Sequence, residues 1–379
     1  MEGVEAMSVF AGRSVFVTGH TGFKGSWLSL WLETLGAKVH GYALKPPTKP
    51  SLFDEAGLKE RVKSHVIGDI RDYQALKRAL CAAKPEIVFH LAAQPLVRMS
   101  YRRPRETFET NVQGTVNLLE AVREVGGVKV CLVITSDKCY ENREWVYAYR
   151  ENDPMGGYDP YSASKGCAEL VVAAYRRSFF HPEKVAEHGM SLASARAGNV
   201  IGGGDWAEDR IIPDCIRALQ KGESILVRNP GAIRPWQHVL EPLSGYLTLA
   251  ARQWDRAAVG DFADAFNFGP ASAGNMTVRA VVERALEAWG GGHWHGPESA
   301  GTRRQAATHH EATFLKLDIT KATNVLHWKP ALTVDAAIAR TIRWYKERAE
   351  RGRDFAARDL CLSQIADHER VSPLVLGGA

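Results

Sequence analysis

The sequence predicts a doubly wound α/β fold, in which helices cover both faces of a parallel sheet. Three observations carry this prediction. Short runs of β-branched and apolar residues alternate with segments of helical periodicity over the first two hundred residues. These runs are almost continuously apolar, which is typical of parallel strands buried on both faces. A glycine-rich turn joins the first run directly to the first helical segment.

The individual elements follow in order along this part of the chain. Strands are predicted at residues 14–18, 39–44, 65–67, 87–91, 128–135 and 192–197. Helices are predicted between them at residues 25–35, 73–83, 108–125 and 161–179. Because parallel strands need a crossover connection, these intervening helices support a parallel sheet built from βαβ units.

The spacing of the predicted elements changes after about residue 199, where the loops are longer and the helices lie further apart. Helices are predicted at 242–253, 278–289 and 333–350, with a strand at 265–268 that returns to the sheet. We predict a first domain over residues 8–200 with return segments near 234–270, a smaller mixed α/β C-terminal domain over 201–233 and 271–360, and a weakly packed tail over 361–379.

The composition excludes several classes of protein. The chain has 379 residues, 45% of them hydrophobic and 24% charged, and these values are those of an ordinary globular protein. Its formal net charge of +5 comes with no dense basic run, so nucleic-acid binding is not expected. No apolar stretch is long enough to span a membrane, and the N-terminus lacks a signal-peptide pattern. We therefore expect a cytoplasmic protein with reduced thiols.

The cysteines and histidines do not predict a metal site. None of the six cysteines forms a Cys-x-x-Cys pair. His293 and His295, with the histidines and glutamate of residues 309–311, lack a helical His-x-x-x-His spacing and a cysteine partner. We predict that the protein binds no metal.

The glycine-rich turn after the first strand is a candidate phosphate-binding loop. Gly19, Gly22 and Gly25 permit a tight turn, close backbone approach to a pyrophosphate, and close packing of the helix on the strand. The N-terminus of the following helix presents free N–H groups to phosphate oxygens. We predict that these glycines, with Thr21 and Phe23, bind a dinucleotide cofactor.

The second strand leaves the choice between NAD and NADP open. An acidic residue about 20 positions after the glycines normally accepts the ribose hydroxyls of NAD. Here the strand ends in Tyr-Ala-Leu and Lys45, without a carboxylate, and a lysine there could meet the 2′-phosphate of NADP. Asp69 and Ile70, after the third strand, are predicted to hold the adenine.

A Tyr-x-x-x-Lys pattern opens the helix predicted at 161–179. The spacing of four places Tyr161 and Lys165 on one helix face. A cation close to a phenol lowers its pKa, so Tyr161 is a candidate general base near neutral pH. Lys165 can also hydrogen-bond the nicotinamide ribose.

The fifth strand ends in Thr135, followed by Ser136, Asp137 and Lys138. Ligands of doubly wound sheets bind at the carboxyl edge, where these residues lie. A hydroxyl, a carboxylate and an ammonium in consecutive positions form a candidate proton-handling set.

These motifs, in this order, resemble those of the extended short-chain dehydrogenase/reductases that act on nucleotide sugars. The resemblance is closest to the branch of CDP-glucose 4,6-dehydratases and covers nearly the whole chain. Its most specific parts are the runs at residues 19–25, 92–98, 135–140, 156–161, 196–206 and 234–239.

The resemblance implies a Rossmann fold for the first domain, a substrate-binding second domain and a homodimer or homotetramer. It implies NAD as the cofactor and CDP-glucose as the substrate, with synthesis of deoxysugars for a bacterial surface polysaccharide. Further cofactor contacts would come from Leu91, Ala92, Ala93 and Thr135. The substrate contacts would come from Gln94, Arg98, Asn199, Arg234 and His238.

The reaction implied by the resemblance is a redox-neutral dehydration. Tyr161 would take the proton of the sugar 4-hydroxyl while hydride leaves C4, water would then leave across C5 and C6, and hydride would return to C6. The related dTDP-glucose dehydratases have Asp-Glu where this chain has Asp137 and Lys138, so the C5 base is left open. A UDP-sugar 4-epimerase would share Tyr161 and Lys165 but needs no such pair, and a silent nucleotide-sugar-binding protein is the non-enzymatic alternative.

Overall fold

The computed structural model describes residues 9–255, 259–271, 274–296 and 314–372. Their strands are β1 (Ser14–Thr18), β2 (Lys38–Ala43), β3 (Ser64–Ile67), β4 (Ile87–His90), β5 (Val130–Ile134), β6 (Ser191–Ala197), β7 (Val200–Ile201), β8 (Ile225–Leu226), β9 (Ile233–Pro235), β10 (Gln237–His238), β11 (Ala265–Phe268), β12 (Asn275–Thr277) and β13 (Trp294–His295).

The helices of the same residues include several single turns. They are α1 (Phe23–Thr34), α2 (Leu52–Glu55), α3 (Tyr73–Ala83), α4 (Val97–Arg102), α5 (Pro104–Phe108), α6 (Gly114–Val125), α7 (Pro160–Ser178), α8 (Val185–His188), α9 (Ile211–Lys221), α10 (Leu240–Trp254), α11 (Val259–Phe262), α12 (Val278–Trp289), α13 (Thr320–Asn324), α14 (Val334–Arg351) and α15 (Ala357–Val371).

A seven-stranded parallel sheet forms the centre of the molecule. The strand order is β11-β6-β5-β4-β1-β2-β3, and every neighbouring pair is parallel. The first six strands have the order of a dinucleotide-binding sheet. The doubly wound parallel sheet predicted from the sequence is therefore confirmed. The returning strand at 265–268 is also found, paired with β6 from Ala265 opposite Ser194.

Apolar side chains cover the sheet on both faces. One face packs against α1 and α10, with Trp27, Trp31 and Leu243 fully buried. The other face packs against α3 and α6, with Leu80 and Leu118 fully buried. Helices on both faces explain why the strands are apolar almost throughout rather than alternating.

The helix predicted at 108–125 is interrupted at its start. Residues Glu109–Gln113 form a π-helical turn, and regular α-helix begins only at Gly114. The turn carries Asn111, whose side chain donates to Gln94 O and to Ser164 Oγ, at 3.1 and 2.8 Å. Apolar periodicity does not reveal this turn, because π-turns keep a helical pattern while they redirect one side chain.

The predicted weakly packed tail from residue 361 is wrong over the part that the structure describes. Helix α15 packs against α1, and Cys361, Ile365 and His368 are fully buried. Trp31 of α1 donates to Glu369 Oε1 at 2.7 Å. Without α15, large apolar side chains of α1 would be exposed to water. The spacing of the three buried residues places them on one face of α15, which packs on α1. Residues 373–379 lie outside the described part of the chain, and the division into two domains stays a prediction.

The remaining elements lie beside the carboxyl edge of the sheet. Three two-stranded pairings, β7 with β10, β9 with β12 and β8 with β13, brace the loops that connect α9, α10 and α12. Among the described helices, none combines the length and the apolar character that crossing a membrane requires.

Candidate active site

A cavity of about 1110 Å³ opens at the carboxyl edge of the sheet. Its floor is formed by the loops that follow β1 to β6, and its other wall comes from residues around α9, β8 and β9. This position is the one where doubly wound sheets bind their ligands, because loops diverge there and leave a crevice.

The cavity brings together most of the residues that the sequence predicts for the site. The predicted cofactor contacts that line it are Gly19, Thr21, Gly22, Phe23, Gly25, Asp69, Ile70, Leu91, Ala92, Ala93, Thr135, Tyr161 and Lys165. The other predicted residues that line it are Ser136, Asp137, Lys138, Arg98, Asn199 and Arg234. Gln94 and His238 are not among the lining residues.

His238 lies in the core rather than in the cavity. Its fully buried ring meets Trp27 edge to face, with centroids 6.0 Å apart, and Nδ1 accepts from Leu240 N at 3.3 Å. Burial lowers the pKa of His238 to about 3 and the neighbouring His368 adds to the effect, so the imidazole is neutral. The predicted substrate contact at His238 is therefore wrong, because β10 turns this side chain toward α1.

Gln94 shapes the loop before α4 instead of reaching a ligand. Its side-chain amide donates to Leu96 O at 3.1 Å and Thr107 Oγ1 at 3.0 Å, and its Oε1 accepts from Leu96 N at 2.6 Å. With donors and acceptor engaged in the protein, the predicted substrate contact of this side chain is not supported.

The glycine-rich loop has the geometry of a pyrophosphate cradle. Gly19 has φ +76°, and a Cβ there would lie 2.7 Å from Ala92 N. A Cβ at Gly25 would lie 2.1 Å from Gly19 O, so only glycine allows α1 to approach the loop this closely. Gly22 caps α1 without a side-chain acceptor, which leaves the first-turn N–H groups for phosphate oxygens. The loop therefore fits a dinucleotide.

The region expected to hold the adenosine contains a paired aspartate. Arg71 donates to both carboxylate oxygens of Asp69, from Nε to Oδ1 at 3.0 Å and from Nη2 to Oδ2 at 2.6 Å. These hydrogen bonds hold the pKa of Asp69 below its usual value. Tyr42 OH donates to the backbone O of Asp69 at 2.9 Å, which fixes the loop after β3. Lys45 is exposed and lines the same end of the cavity.

Helix α7 places Tyr161 and Lys165 in the cavity wall. Asp159 caps the helix by accepting from Ser162 N at 2.9 Å, and Pro160 occupies the first helical position. Lys165 Nζ donates to Ile134 O at 3.4 Å, which ties the helix to the end of β5. The spacing of four thus puts both side chains on the face that meets the sheet edge.

The expected lowering of the Tyr161 pKa is wrong for the protein without ligands. Burial raises the pKa of Tyr161 to about 12, and Asp137 adds to the rise. A hydrogen bond with Ser136 and the positive charge of Arg210 act in the opposite direction. Lys165 is not the opposing cation, and burial lowers its own pKa to about 8. The sequence could not show that Arg210, 49 positions away, faces the phenol.

Asp137 is a buried carboxyl group with one oxygen engaged. Ser136 Oγ donates to Oδ1 at 2.9 Å, while Oδ2 has no hydrogen-bond partner among the described residues. Burial raises the pKa of Asp137, against the lowering effects of Lys138, Arg234 and Lys24. Burial thus favours the protonated form of Asp137, which is the form that can donate a proton.

A buried ion pair supports the strand end that carries these residues. Glu169 of α7 accepts from Thr135 Oγ1, from Ser194 Oγ at 2.8 Å and from Arg196 at 2.7 Å. Burial alone would raise the pKa of Glu169, but Arg196 and the hydrogen bonds outweigh it and the pKa lies below its usual value. The carboxylate therefore joins α7, β5 and β6 behind the catalytic residues.

The family follows from comparison with known proteins. Residues 16–341 match the family model described as GDP-mannose 4,6 dehydratase. The chain belongs to this family. A curated relative, the CDP-glucose 4,6-dehydratase of Salmonella typhimurium, is 54% identical over 88% of this chain and 91% of its own length. The dTDP-glucose 4,6-dehydratase of Xanthomonas campestris is 26% identical over 87% of this chain and 92% of its own.

Solved structures of similar fold include dTDP-glucose 4,6-dehydratases and epimerases. A dTDP-glucose 4,6-dehydratase from Bacillus anthracis, solved in complex with NAD, has a TM-score of 0.72 at 19% identity, covering 89% of this chain and 98% of its own. An epimerase from Methanothermobacter thermautotrophicus has a TM-score of 0.73 at 23% identity, covering 92% and 97%. At these identities the likeness concerns the fold.

In this member of the GDP-mannose 4,6-dehydratase family, the far wall of the cavity carries several arginines. Arg98 of α4 and Arg228 after β8 both donate to Asp209 Oδ1, at 3.3 and 2.8 Å. Asp209 holds a left-handed backbone with φ +61°, an unusual conformation for a residue other than glycine. Arg234 donates to Ile233 O at 2.9 Å. The wall thus offers guanidinium groups suited to phosphate oxygens.

The charged residues that line this cavity and that sequence reasoning missed include Lys24, Asp209, Arg210 and Arg228. Three of them lie in the longer loops after β7 and β8, where no periodic pattern indicates a direction. Lys24 lies inside the glycine-rich motif, and its charge at the start of a helix was the one signal available, since the helix dipole disfavours cations there.

The described residues contain no group of three or more His, Cys, Asp or Glu side chains placed to hold a metal ion. Residues 309–311, considered with His293 and His295, lie outside the described part of the chain. The absence of a metal therefore stays a prediction.

Proposed function

We propose that the protein is a CDP-glucose 4,6-dehydratase that converts CDP-glucose to CDP-4-keto-6-deoxyglucose with NAD regenerated in each turnover. The Salmonella relative with this activity is 54% identical and matches over nearly its full length. The site supports the same chemistry, since a candidate base, a buried acid and a dinucleotide cradle share one cavity.

One observation carries the proposal furthest. The buried carboxyl of Asp137 accepts a hydrogen bond from Ser136 and lies close enough to the Tyr161 phenol to raise its pKa. Oxidation at a sugar hydroxyl needs a base, which the tyrosine can supply. Elimination of a hydroxyl group needs an acid as well, and Asp137 is the group suited to that role.

The residues that would hold NAD are those of the cradle and of the sheet edge. Gly19, Gly22 and Gly25 form the pyrophosphate loop, and the N-terminus of α1 faces the same cavity. When bound, NAD accepts a hydride from C4 of the sugar and returns it to C6. Lys165 of α7, whose ammonium donates to Ile134 O at the end of β5, would orient the nicotinamide ribose.

Tyr161 takes the proton from the sugar 4-hydroxyl in the first step. Its pKa of about 12 in the ligand-free protein is too high for a base at neutral pH. Cations that face the phenol lower this value, and Arg210 already does so. Ser136 lies close enough to the phenol to lower its pKa as well.

Asp137 and Lys138 act after C4 is oxidised, when the ketone has made the C5 proton acidic. Asp137 donates its proton to the oxygen leaving C6, because burial favours the protonated form of this carboxyl. Lys138 is half-buried and lines the cavity, and we assign the C5 proton to its amine in the unprotonated form. Ser136 then continues to donate a hydrogen bond to the Asp137 carboxylate until Asp137 is protonated again.

The substrate diphosphate is assigned to the guanidinium wall. Arg234 and Asn199 line the cavity next to Asp137, and Arg98 faces them from α4. A planar guanidinium can donate to two phosphate oxygens at once, which gives orientation as well as affinity. With the diphosphate held there, we expect the sugar to lie toward Asp137 and Tyr161.

A UDP-sugar 4-epimerase is the nearest alternative, since epimerases share the fold. An epimerase returns hydride to C4 and has no use for an acid at C6, so the buried Asp137 favours dehydration. A silent nucleotide-sugar-binding protein would not need Ser136, Tyr161 and Lys165 together.

The experiment that tests the proposal compares CDP-, dTDP-, UDP- and GDP-glucose as substrates with NAD present. We expect the 4-keto-6-deoxy product from CDP-glucose at the highest kcat/KM, with total NAD unchanged. A change of configuration at C4 without loss of water would support the epimerase. Binding without any reaction would support the silent protein.

We also propose that the enzyme acts in the cytoplasm, as a homodimer or homotetramer, in deoxysugar synthesis for a bacterial surface polysaccharide. Large apolar side chains are exposed on two neighbouring helices, Phe108 on α5 and Leu170 on α7. Such side chains on one surface favour association of subunits. Light scattering of the purified protein measures the subunit number.

A further inference from the structure

Lys24 is a charged residue in an unfavourable place. It is the second residue of α1, so its ammonium adds to the positive end of the helix dipole. It is half-buried in the cavity wall, where the neighbouring charges of Lys165 and Arg210 repel it. Among the described residues it forms no ion pair and no hydrogen bond. A lysine retained under these conditions needs a compensating interaction.

Tyr246 is a second polar residue whose polar atom makes no hydrogen bond among the described residues. It lies on α10 and is fully buried, and its hydroxyl has no hydrogen-bond partner among the described residues. The Lys24 ammonium lies 5.9 Å from the centre of its ring. Buried hydroxyls are rarely left unpaired, because each loses its bonds to water.

Both groups converge on Asp137. The negative charge of Asp137 acts on Lys24 and on Tyr246, and its Oδ2, like the Tyr246 hydroxyl, is a buried polar atom without a hydrogen-bond partner among the described residues. The three groups come from α1, from α10 and from the loop after β5, so no local sequence pattern brings them together.

We propose that Lys24 and Tyr246 are positioning residues of the dehydration, which stabilise the Asp137 carboxylate formed when its proton passes to the oxygen leaving C6. In that step Lys138 takes the C5 proton, the electron pair of the C5–H bond forms the C5=C6 bond, the C6–O bond breaks, and the proton of Asp137 joins the leaving hydroxide as water. This inference rests on the proposed function, because it assigns an acid role to Asp137.

The physical argument is one of charge. Burial raises the pKa of Asp137, which favours the acid form but makes release of the proton harder. A cation and a hydroxyl donor near the carboxyl offset that penalty without touching the substrate. Burial also lowers the pKa of Lys24 to about 7, so its charge is lost within the physiological range.

Several other charged and polar groups lie near Asp137 and Lys24. Asp137 is also faced by Ser136, Lys138, Cys139, Tyr161 and Arg234. Lys24 is also faced by Lys165 and Arg210, which both lower its pKa, whereas Asp137 raises it. Among the cations near Asp137, Lys24 is the one that lies on the cofactor-binding helix.

The first test uses the protein without ligands. The pKa of the Lys24 ammonium is measured by NMR with carbon-13 lysine, assigned by its loss in Lys24→Met. We expect a value near 7 that falls further in Asp137→Asn, because the carboxylate that raises it is gone. Asp354→Asn, at an exposed aspartate, serves as the control and should leave it unchanged. An equal Lys24 pKa in wild type and Asp137→Asn would overturn the proposal.

The second test separates the two half-reactions. In a single turnover with CDP-glucose, Lys24→Met and Tyr246→Phe should reduce NAD at the wild-type rate and release product about tenfold more slowly. Lys24→Arg should restore the rate and move its decline at alkaline pH upward, since a guanidinium stays charged. Lys38→Met, at an exposed lysine, is the control. Product formation at the wild-type rate in Lys24→Met would overturn this inference, whereas failure of the wild type to react would contradict the proposed function.

Discussion

The carboxyl group of Asp137 lies against Gly198, the residue that follows the end of β6. A Cβ at position 198 would come within 2.6 Å of Asp137 Oδ2 and 2.8 Å of Pro235. The glycine therefore gives the carboxyl the space to turn Oδ2 away from the Ser136 hydroxyl that holds Oδ1. The position of the acid depends on a residue that carries no functional group.

Gly198→Ala should displace the Asp137 carboxyl, because the new methyl group would occupy the place of Oδ2. We expect NAD reduction by CDP-glucose to persist while formation of the 4-keto-6-deoxy product slows. The measurement is a rapid-quench single turnover, with Gly260→Ala as control, since nothing lies within 4 Å of a Cβ at that position. Equal product rates in Gly198→Ala and wild type would contradict the placement.

Tyr161→Phe removes the phenolic oxygen and keeps the ring in its buried position. We expect turnover to fall about 100-fold or more, the usual effect of losing a general acid or base. Calorimetric titration with CDP and with NAD should show binding close to that of wild type. Activity near the wild-type level would exclude Tyr161 as the C4 base.

The choice of cofactor is tested at the end of β2. We expect the protein to bind NAD more tightly than NADP and to leave the total of NAD and NADH unchanged over many turnovers. Lys45→Ala should not weaken the binding of NAD, because we expect this exposed lysine to make no contact with the adenosine ribose hydroxyls of NAD. Tighter binding of NADP that is lost in Lys45→Ala would show that the lysine meets a 2′-phosphate. Net consumption of NAD would contradict the redox-neutral reaction.

The buried pair of Glu169 and Arg196 should dominate acid stability. Glu169→Gln leaves the Arg196 charge uncompensated, so unfolding in urea should show a loss of about 3–5 kcal/mol at neutral pH. Because the folded protein holds the pKa of Glu169 below its ordinary value of 4.5, this stabilisation is present above that value and is lost as pH falls below it. Glu86→Gln, in a half-exposed pair with Arg13, should cost at most about 1 kcal/mol. An equal loss in the two variants would contradict this account.

Much of the fold could be predicted because its signals are local. Apolar runs, helical periodicity and glycines at the first turn lie within a few residues of one another, and they indicated the parallel sheet and its returning strand. The pairing of Tyr161 with Lys165 follows from helix geometry alone. Helix α15 was not predicted as a packed element, because the side chains that bury it, the tryptophans of α1, lie more than 300 positions earlier in the sequence.

The chemistry of the site was harder to predict from the sequence, because it depends on burial and on charged residues that are distant in the sequence. The pKa of Tyr161 is set by burial and by Arg210 rather than by the nearby Lys165. His238 lies in a run typical of the family, yet its strand turns it into the core. Lys24 and Tyr246 meet Asp137 only after α1 and α10 pack on the same face of the sheet.

The central claim is that Asp137 and Lys138 act on C5 and C6 after C4 has been oxidised. The most direct measurement is a single turnover of Asp137→Asn and Lys138→Met with CDP-glucose, following NADH by its near-ultraviolet absorbance and product by rapid quench. We expect NADH to appear at the wild-type rate and the 4-keto-6-deoxy product to follow at least about 100-fold more slowly. A variant that binds substrate but does not reduce NAD would place that residue in the oxidation step with Tyr161, and product at the wild-type rate in both variants would contradict the dehydratase account.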